Sequence, residues 1–264
     1  MPVMTDATGK RWVEVACLLP GTPAQLWDAV ATGPGLAAWF TPAEVEPRVG
    51  GDLTLRFGPG LATTGTVTAW EPPARFGYVE VGWDAGAPPC STEITIAARP
   101  DGQCLLRLAH AIVTPSDAWD DQLESFERGW PAFFEVLRVY LAAFSGQPAA
   151  SYQLAEETAL PGGRAWRRLV SALGLADLDA GDTRTIVAGP EAWEAVVETI
   201  HQTASQRTML VRIDGPAPGL AVVGVYAAGE VRSVGLTRFY YGAGVAAGDA
   251  GERAWREWLG AIAG

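Results

Sequence analysis

The sequence has few of the residues from which metal sites and nucleophilic centres are built. Only two histidines occur among its 264 residues, His110 and His201, so a site with several histidine ligands is excluded by count. The three cysteines, Cys17, Cys90 and Cys104, are scattered and show no CxxC spacing. We therefore expect no zinc site, no disulfide framework and no bound cofactor.

Recognised catalytic motifs are also missing. The chain has no Gly-x-Ser-x-Gly elbow, no phosphate-cradling glycine loop and no dinucleotide fingerprint. No cysteine can be paired with a histidine from the sequence, so thiol catalysis has no support at this level. These absences favour a binding protein over an enzyme.

Long apolar runs and basic runs are lacking as well. The longest apolar stretch, around 220–228, is far shorter than the ~20 residues that span a bilayer. The polar segment 1–10 lacks the apolar core of a signal peptide. With 19 Lys and Arg against 30 Asp and Glu, the net charge is -11 and no basic run occurs, which disfavours a phosphate-backbone partner. We expect a cytoplasmic, bacterial protein with no membrane span and no nucleic-acid partner.

Hydrophobic residues make up 48% of the chain and charged residues 19%, enough for a buried core. Alternation and turn signals predict strands over 11–19, 52–57, 65–70, 75–81, 92–98 and 103–110. Thr22 as N-cap and Pro23 predict a helix over 23–31, and a second short helix carries Leu36, Trp39 and Phe40. Apolar spacing of three and four predicts a long helix over 118–144, with a kink or restart at Gly129 and Pro131.

Seven short motifs occur in one order along the first half of the chain. They are Trp27-Asp28-Ala29, Ala38-Trp39-Phe40, Val49-Gly50-Gly51, Gly65-Thr66-Val67, Trp70-Glu71-Pro72-Pro73, Leu108-Ala109-His110 and Gly129-Trp130. The series resembles the family named for the activator of the heat-shock-protein-90 ATPase, a branch of the SRPBCC (START and birch-pollen-allergen-like) superfamily. The resemblance implies an α+β helix-grip fold, in which a curved antiparallel sheet wraps around a long C-terminal helix and encloses an apolar cavity.

The second half resembles a shorter, degenerate copy of the first. Leu160-Pro161-Gly162 repeats Leu19-Pro20-Gly21, and Arg253-Ala254-Trp255 repeats Arg128-Gly129-Trp130. Strand-like runs cover 184–188, 196–200, 208–213, 220–226 and 231–241, although 191–201 also has helical spacing. With a linker over 146–151, we expect domains over 1–146 and 152–264. Chance similarity of such short motifs is the alternative to a repeat, and the smaller copy could serve as a packing partner.

Candidate ligand-binding residues lie on the predicted inner face of the sheet, the early helices and the long helix. They are Trp39, Phe57, Tyr78, Trp83, Ile94, Leu108, His110, Trp130, Phe133 and Phe134. The alternation places His110 on the same face as Leu106 and Leu108, where it could orient a ligand or simply bond to the backbone. Glu80 and Glu93 face either the cavity or solvent.

The leading hypothesis is a non-catalytic protein that binds a small hydrophobic or amphipathic molecule. Through the resemblance, two alternatives stay open: an enzyme like polyketide cyclases or aromatases that uses a cavity acid–base residue, and a cofactor of a chaperone ATPase. The strands of the second half could also pair across a homodimer.

Overall fold

The computed structural model describes residues 3–6, 10–58, 60–83, 86–114 and 116–264. The chain divides into two units, Met1–Gly146 and Gln147–Gly264. Among the described residues, no helix is long and apolar enough to cross a membrane.

The described residues of the first unit form one antiparallel sheet, three α-helices and a short 3-10 helix at Asp117–Trp119. In chain order its elements are β1 (Met4–Thr5), β2 (Arg11–Pro20), α1 (Pro23–Ala31), α2 (Gly33–Ala37), β3 (Ala43–Val45), β4 (Asp52–Arg56), β5 (Ala62–Glu71), β6 (Arg75–Val81), β7 (Cys90–Ala98), β8 (Gln103–Ile112) and α3 (Asp120–Ala143). The strands lie in the order β1-β2-β8-β7-β6-β5-β4-β3. The sheet is curled against α3, so the predicted helix-grip fold is confirmed.

The start of α1 follows from a capping box. The Thr22 hydroxyl accepts from the Gln25 backbone N–H at 3.3 Å, and the Gln25 side-chain oxygen accepts from the Thr22 N–H at 2.9 Å. The next helix, α2, packs so closely on α1 that a Cβ on Gly35 would lie 1.8 Å from the Asp28 carbonyl oxygen. Because α2 ends at Ala37, the expectation that it also carries Trp39 and Phe40 is wrong.

The long helix α3 is continuous through Pro131, so the predicted restart does not occur. Among the described strands, its backbone approaches β2 most extensively and β8 less so. The helix therefore lies along one side of the concave face. The space between α3 and the strands β4 to β7 is left for side chains.

The second unit has one antiparallel sheet and two helices. Its elements are β9 (Ala149–Glu157), α4 (Gly162–Ala172), β10 (Thr183–Ile186), β11 (Trp193–Gln202), β12 (Gln206–Ile213), β13 (Gly219–Ala228), β14 (Val231–Tyr241) and α5 (Gly248–Ala263). The predicted linker over 146–151 is too long, because Ala149 already pairs with Tyr241 in the ladder between β9 and β14.

The alternative of a helix over 191–201 is wrong, because this segment is the strand β11. Trp193, Ala195 and Val197 alternate as buried residues, as a half-buried strand requires. After Val197 a β-bulge leaves Glu198 without a partner on β12, and the ladder resumes at Thr199. This extra residue changes the phase of the pattern and produces the misleading helical spacing.

Both sheets have the same strand order. In each unit the first long strand pairs with the last, and the preceding strands follow in reverse: β2-β8-β7-β6-β5-β4 and β9-β14-β13-β12-β11-β10. The two sheets also have a bulge in the equivalent strand. It lies at Thr68 of β5 in the first sheet and at Glu198 of β11 in the second. The second unit is therefore a second, smaller copy of the helix-grip fold, with no counterpart of β1 or β3 among its described residues.

A buried ion pair organises the core of this second copy. The Arg238 side chain has no exposed surface, and its guanidinium donates to Glu191 at 3.3 Å and to the carbonyl oxygens of Ala217 and Phe239 at 2.9 and 2.7 Å. The Glu191 carboxylate also accepts from Tyr240 and, at 2.9 Å, from the Trp255 indole. Every charge in this cluster thus has partners, as burial demands.

We predict that Glu191→Gln destabilises the second unit by about 3 kcal/mol, the lower end of the range for breaking a buried ion pair, because Arg238 keeps its charge without a counterion. Amide exchange of β13 and β14 measures the free energy of opening. The control Glu252→Gln, in the same unit, removes a carboxylate from a partly exposed pair with Arg256 and should change little. Equal effects of the two substitutions would contradict the structural role assigned to Glu191.

Candidate ligand cavity

A cavity of about 480 Å³ lies between the concave face of the first sheet and the first half of α3. Its walls come from β4 to β8, from the segments around Phe40 and Phe57, and from α3. The lining residues are Phe40, Leu55, Phe57, Leu61, Thr63, Tyr78, Glu80, Trp83, Cys90, His110, Gln122, Ser125, Phe126, Gly129, Trp130 and Phe133. The cavity occupies the space that α3 leaves open by lying along β2 and β8.

Aromatic rings form most of the apolar wall. Trp130 stacks on Phe40 with ring centroids 5.6 Å apart, and Phe40 meets Phe133 edge to face at 5.2 Å. At the other end, Phe126 lies between Trp83, at 5.7 Å, and the imidazole of His110, at 4.4 Å. Phe133 is 42% exposed, which leaves one end of this aromatic wall open to solvent.

Polar side chains meet at the sheet side of the cavity because the strand register aligns them. Tyr78, Thr92 and His110 lie directly opposite one another on β6, β7 and β8. Glu80 lies opposite Cys90, two residues further along the same strands and therefore on the same face. The register thus concentrates the polar groups in one patch of an otherwise apolar wall.

His110 has a protein partner at each ring nitrogen. Thr92 Oγ1 lies 3.0 Å from Nδ1, and Cys90 Sγ lies 3.0 Å from Nε2. Burial lowers the pKa of His110 to about 4, so the ring is neutral near pH 7. A neutral imidazole has one donor and one acceptor nitrogen, and both are engaged here.

The pairing of Cys90 with His110 was not accessible from the sequence, which offered no reason to join a cysteine and a histidine 20 positions apart. The two strands bring them together through the Thr92–His110 register pair. Burial and the neighbouring Glu80 raise the pKa of the Cys90 thiol. The contact is therefore between a neutral thiol and a neutral ring, not the thiolate–imidazolium pair of a reactive cysteine.

Glu80 points into the cavity and is 8% exposed, whereas Glu93 is exposed and pairs with Arg75 at 2.7 Å. Thr63 Oγ1 donates to Glu80 Oε1 at 2.6 Å. Burial raises the pKa of Glu80, and the hydrogen bond from Thr63 partly opposes this. Within the part of the chain that the structure describes, the second carboxyl oxygen has no hydrogen-bond partner and the group has no cationic neighbour.

Six of the ten predicted residues lie on the cavity wall: Phe57, Tyr78, Trp83, His110, Trp130 and Phe133. The other four are packed elsewhere in the core: Trp39, Ile94, Leu108 and Phe134. Trp39 is turned away because its indole N–H donates to the Ala29 carbonyl oxygen at 3.0 Å. Phe134 stacks on Trp130 at 5.5 Å and does not reach the cavity itself.

Sequence reasoning missed several lining residues. Phe126 lies four positions before Trp130 on the apolar stripe of α3, so helical spacing was a signal that could have found it. Thr63 and Cys90 carried no such signal, since their places depend on the register of neighbouring strands. No group of three or more potential metal ligands occurs in the described ranges.

The second unit fills the corresponding space. Equivalent positions in the two units follow when the bulge in β5 is matched with the bulge in β11. The residue pairs between neighbouring strands then extend the match to β6 and β12, β7 and β13, and β8 and β14. The cavity residue Thr63 corresponds to Trp193, and Glu80 corresponds to Ile213. Cys90 corresponds to Gly219, and His110 corresponds to Arg238. The Trp193 ring packs against Trp255 at 5.3 Å, and a Cβ on Gly219 would lie 2.4 Å from the Arg238 guanidinium. A larger ring and a buried cation thus replace the cavity.

Comparison with known proteins finds a family model that matches most of the first unit. Residues 20–142 match the family described as "Activator of Hsp90 ATPase homolog 1-like protein". None of the curated proteins matches the chain.

The chain is also similar to several solved structures, among them the following three. CalU16 from Micromonospora echinospora is 22% identical, with a TM-score of 0.44 over 54% of this chain and 83% of that chain. DynU16, from the dynemicin biosynthetic locus, is 19% identical, with a TM-score of 0.44 over 96% and 95%. The Aha1 dimer from Colwellia psychrerythraea is 18% identical, with a TM-score of 0.41 over 50% and 96%.

We predict that His110 makes the first unit less stable in acid. The unfolded chain takes up a proton near the ordinary pKa of 6.5, whereas folded His110 does so only near 4. Stability is therefore lost as pH falls from 6.5 to 4, by about 3 kcal/mol at most.

Glu80 acts in the opposite direction, because its raised pKa favours the folded state as pH falls. The difference between the wild type and His110→Gln, measured by urea unfolding across this pH range, isolates the histidine. Parallel stability curves for the two proteins would show that His110 is not held neutral by the fold.

Proposed function

Because the first unit is a domain of the Activator of Hsp90 ATPase homolog 1-like family, in the SRPBCC superfamily, we propose that its cavity binds a small amphipathic molecule. The observation that carries the proposal is the cavity itself. Its volume of about 480 Å³ falls within the ~300–1,000 Å³ of small-molecule sites, and its wall is mainly aromatic with one polar patch.

The arrangement of the wall indicates how a ligand would lie. The apolar part would fit along Phe40, Phe126 and Trp130, which present large rigid surfaces. The polar end would point at Glu80, whose second carboxyl oxygen has no hydrogen-bond partner among the described residues. A ligand with an apolar body and one polar end thus fits better than a wholly apolar one.

Acid–base catalysis, as in polyketide cyclases or aromatases, is the second candidate, since Glu80, Cys90 and His110 converge on the cavity. The contacts of His110 argue against it. Both ring nitrogens are engaged by Thr92 and Cys90, so no nitrogen is free to exchange a proton with a substrate. A catalytic role would therefore fall to Glu80, whereas ligand binding leaves the observed contacts of His110 unchanged.

A role as cofactor of a chaperone ATPase would call for an exposed contiguous surface. The recessed, aromatic-lined space under α3, open to solvent at one end, supports a small-molecule ligand instead.

We predict that Gly129→Phe abolishes ligand binding and leaves the fold intact. Gly129 lines the cavity within α3, and a Cβ there meets no atom within 4 Å, so a large side chain can enter the cavity. Replacing a helical glycine also favours the helix by up to about 1 kcal/mol.

The control is Gly260→Phe, because Gly260 lies in α5 of the second unit with equally open surroundings. Wild type and both variants are titrated with fatty acids, flavonoids, polycyclic aromatics and aromatic amines, following tryptophan fluorescence and the unfolding midpoint. A ligand should raise the midpoint of the wild type and of Gly260→Phe only. Equal binding to Gly129→Phe, or no binding by any compound, would refute the proposal.

A further inference from the structure

We infer that the ligand is an organic cation, with its positive charge against Glu80 and its apolar body against the aromatic wall. This inference rests on the proposed function and names the ligand class. It follows from three independent observations on Glu80, on the wall and on the second unit.

The first observation is that the buried carboxyl group of Glu80 has no cationic partner among the described residues. Glu80 is 8% exposed, accepts one hydrogen bond from Thr63 and keeps one oxygen free toward the cavity. No lysine or arginine lines the cavity or pairs with Glu80 in the described part of the chain. Buried charges in folded proteins are normally paired, so an ionised Glu80 would take its counterion from a ligand in the cavity.

The second observation is the chemistry of the wall around that carboxyl group. Trp83, Phe126 and Trp130 expose ring surfaces to the same cavity. Ring faces attract cations, and the attraction grows when water is excluded. An aromatic enclosure with one carboxyl group therefore selects a positively charged group over a neutral or negative one. The net charge of -11 also favours the approach of cations.

The third observation is that the second unit contains such a cation of its own. Arg238 occupies the position equivalent to His110, and its guanidinium lies 4.1 Å from the Tyr240 ring centre and 5.9 Å from that of Trp193. Glu191 supplies the negative charge. One helix-grip interior is thus filled by a cation between rings and a carboxylate, whereas the other has the rings and the carboxyl group without the cation.

Binding of a cation to this site favours the ionised form of Glu80. Burial raises the pKa of Glu80 in the empty cavity, and an ammonium group against the carboxylate would lower it again, so binding releases protons at pH values where part of Glu80 is protonated. The other titratable groups facing Glu80 are Tyr78, Cys90 and His110, all held neutral by burial, and α3 contributes none to the wall. Affinity for a cation therefore rises with pH as long as the ligand amine stays charged.

The test compares 1-naphthylmethylamine with its neutral analogue 1-naphthalenemethanol, which has nearly the same shape. Calorimetry measures binding to the wild type, Glu80→Gln and Glu93→Gln, the last being a charge-matched control on the outer face of β7. We expect the amine to bind the wild type and Glu93→Gln about tenfold or more tightly than the alcohol, and Glu80→Gln to lose that preference.

Proton release is followed on the wild type alone, in two buffers of different ionisation enthalpy, so this readout does not depend on the stability of a variant. Release of a proton with the amine but not with the alcohol supports the inference. If the alcohol binds as tightly as the amine, or if Glu80→Gln binds the amine unchanged, the cation class is wrong and the cavity still binds ligands. If neither compound binds, and none of the wider set does, the proposed function fails as well.

Discussion

The position of α3 along one side of the curled sheet is the constraint on which the rest of the first unit depends. The helix packs against β2 and β8, so its distance from the remaining strands has to be bridged by side chains. In the first unit the aromatic side chains reach across this gap without filling it. The second unit has a shorter closing helix, α5, which also lies along its first and last strands, and there Trp193 and Arg238 fill the interior. The same fold therefore has a cavity in the first unit and a filled core at the equivalent place in the second, and a few side chains make the difference.

The two interiors also solve the problem of burying polar groups in different ways. Around His110, burial disfavours the charged form of the titratable groups, because it raises the pKa values of Glu80, Cys90 and Tyr78 and lowers that of His110. Around Arg238 the guanidinium is satisfied by an ion pair with Glu191 and by backbone carbonyl oxygens. The carboxyl group of the cluster around His110 can still ionise against a bound ligand. The polar groups around Arg238 already have partners within the protein.

Much of the fold could be predicted from the sequence, because capping, turns and alternation are local signals. Thr22 and Pro23 marked the start of α1, and the ladder strands of the first sheet lie close to their predicted ranges. The cavity could be predicted only in part. Whether Trp39 or its neighbour Phe40 faces inward depends on where α2 ends, and the Cys90–His110 contact depends on strand register. Neither quantity is encoded within a short window of sequence.

The bulge that both sheets share has a consequence for comparing such chains by sequence. Thr68 and Glu198 are the residues that each ladder skips, and the equivalence of His110 with Arg238 depends on matching them. An alignment that misses the skipped residue is displaced by one position along the strand. Because side chains alternate between faces, that single gap would match inward-facing residues of one chain with outward-facing residues of the other. Within this chain, the bulge is therefore the anchor on which the alignment of the two units depends.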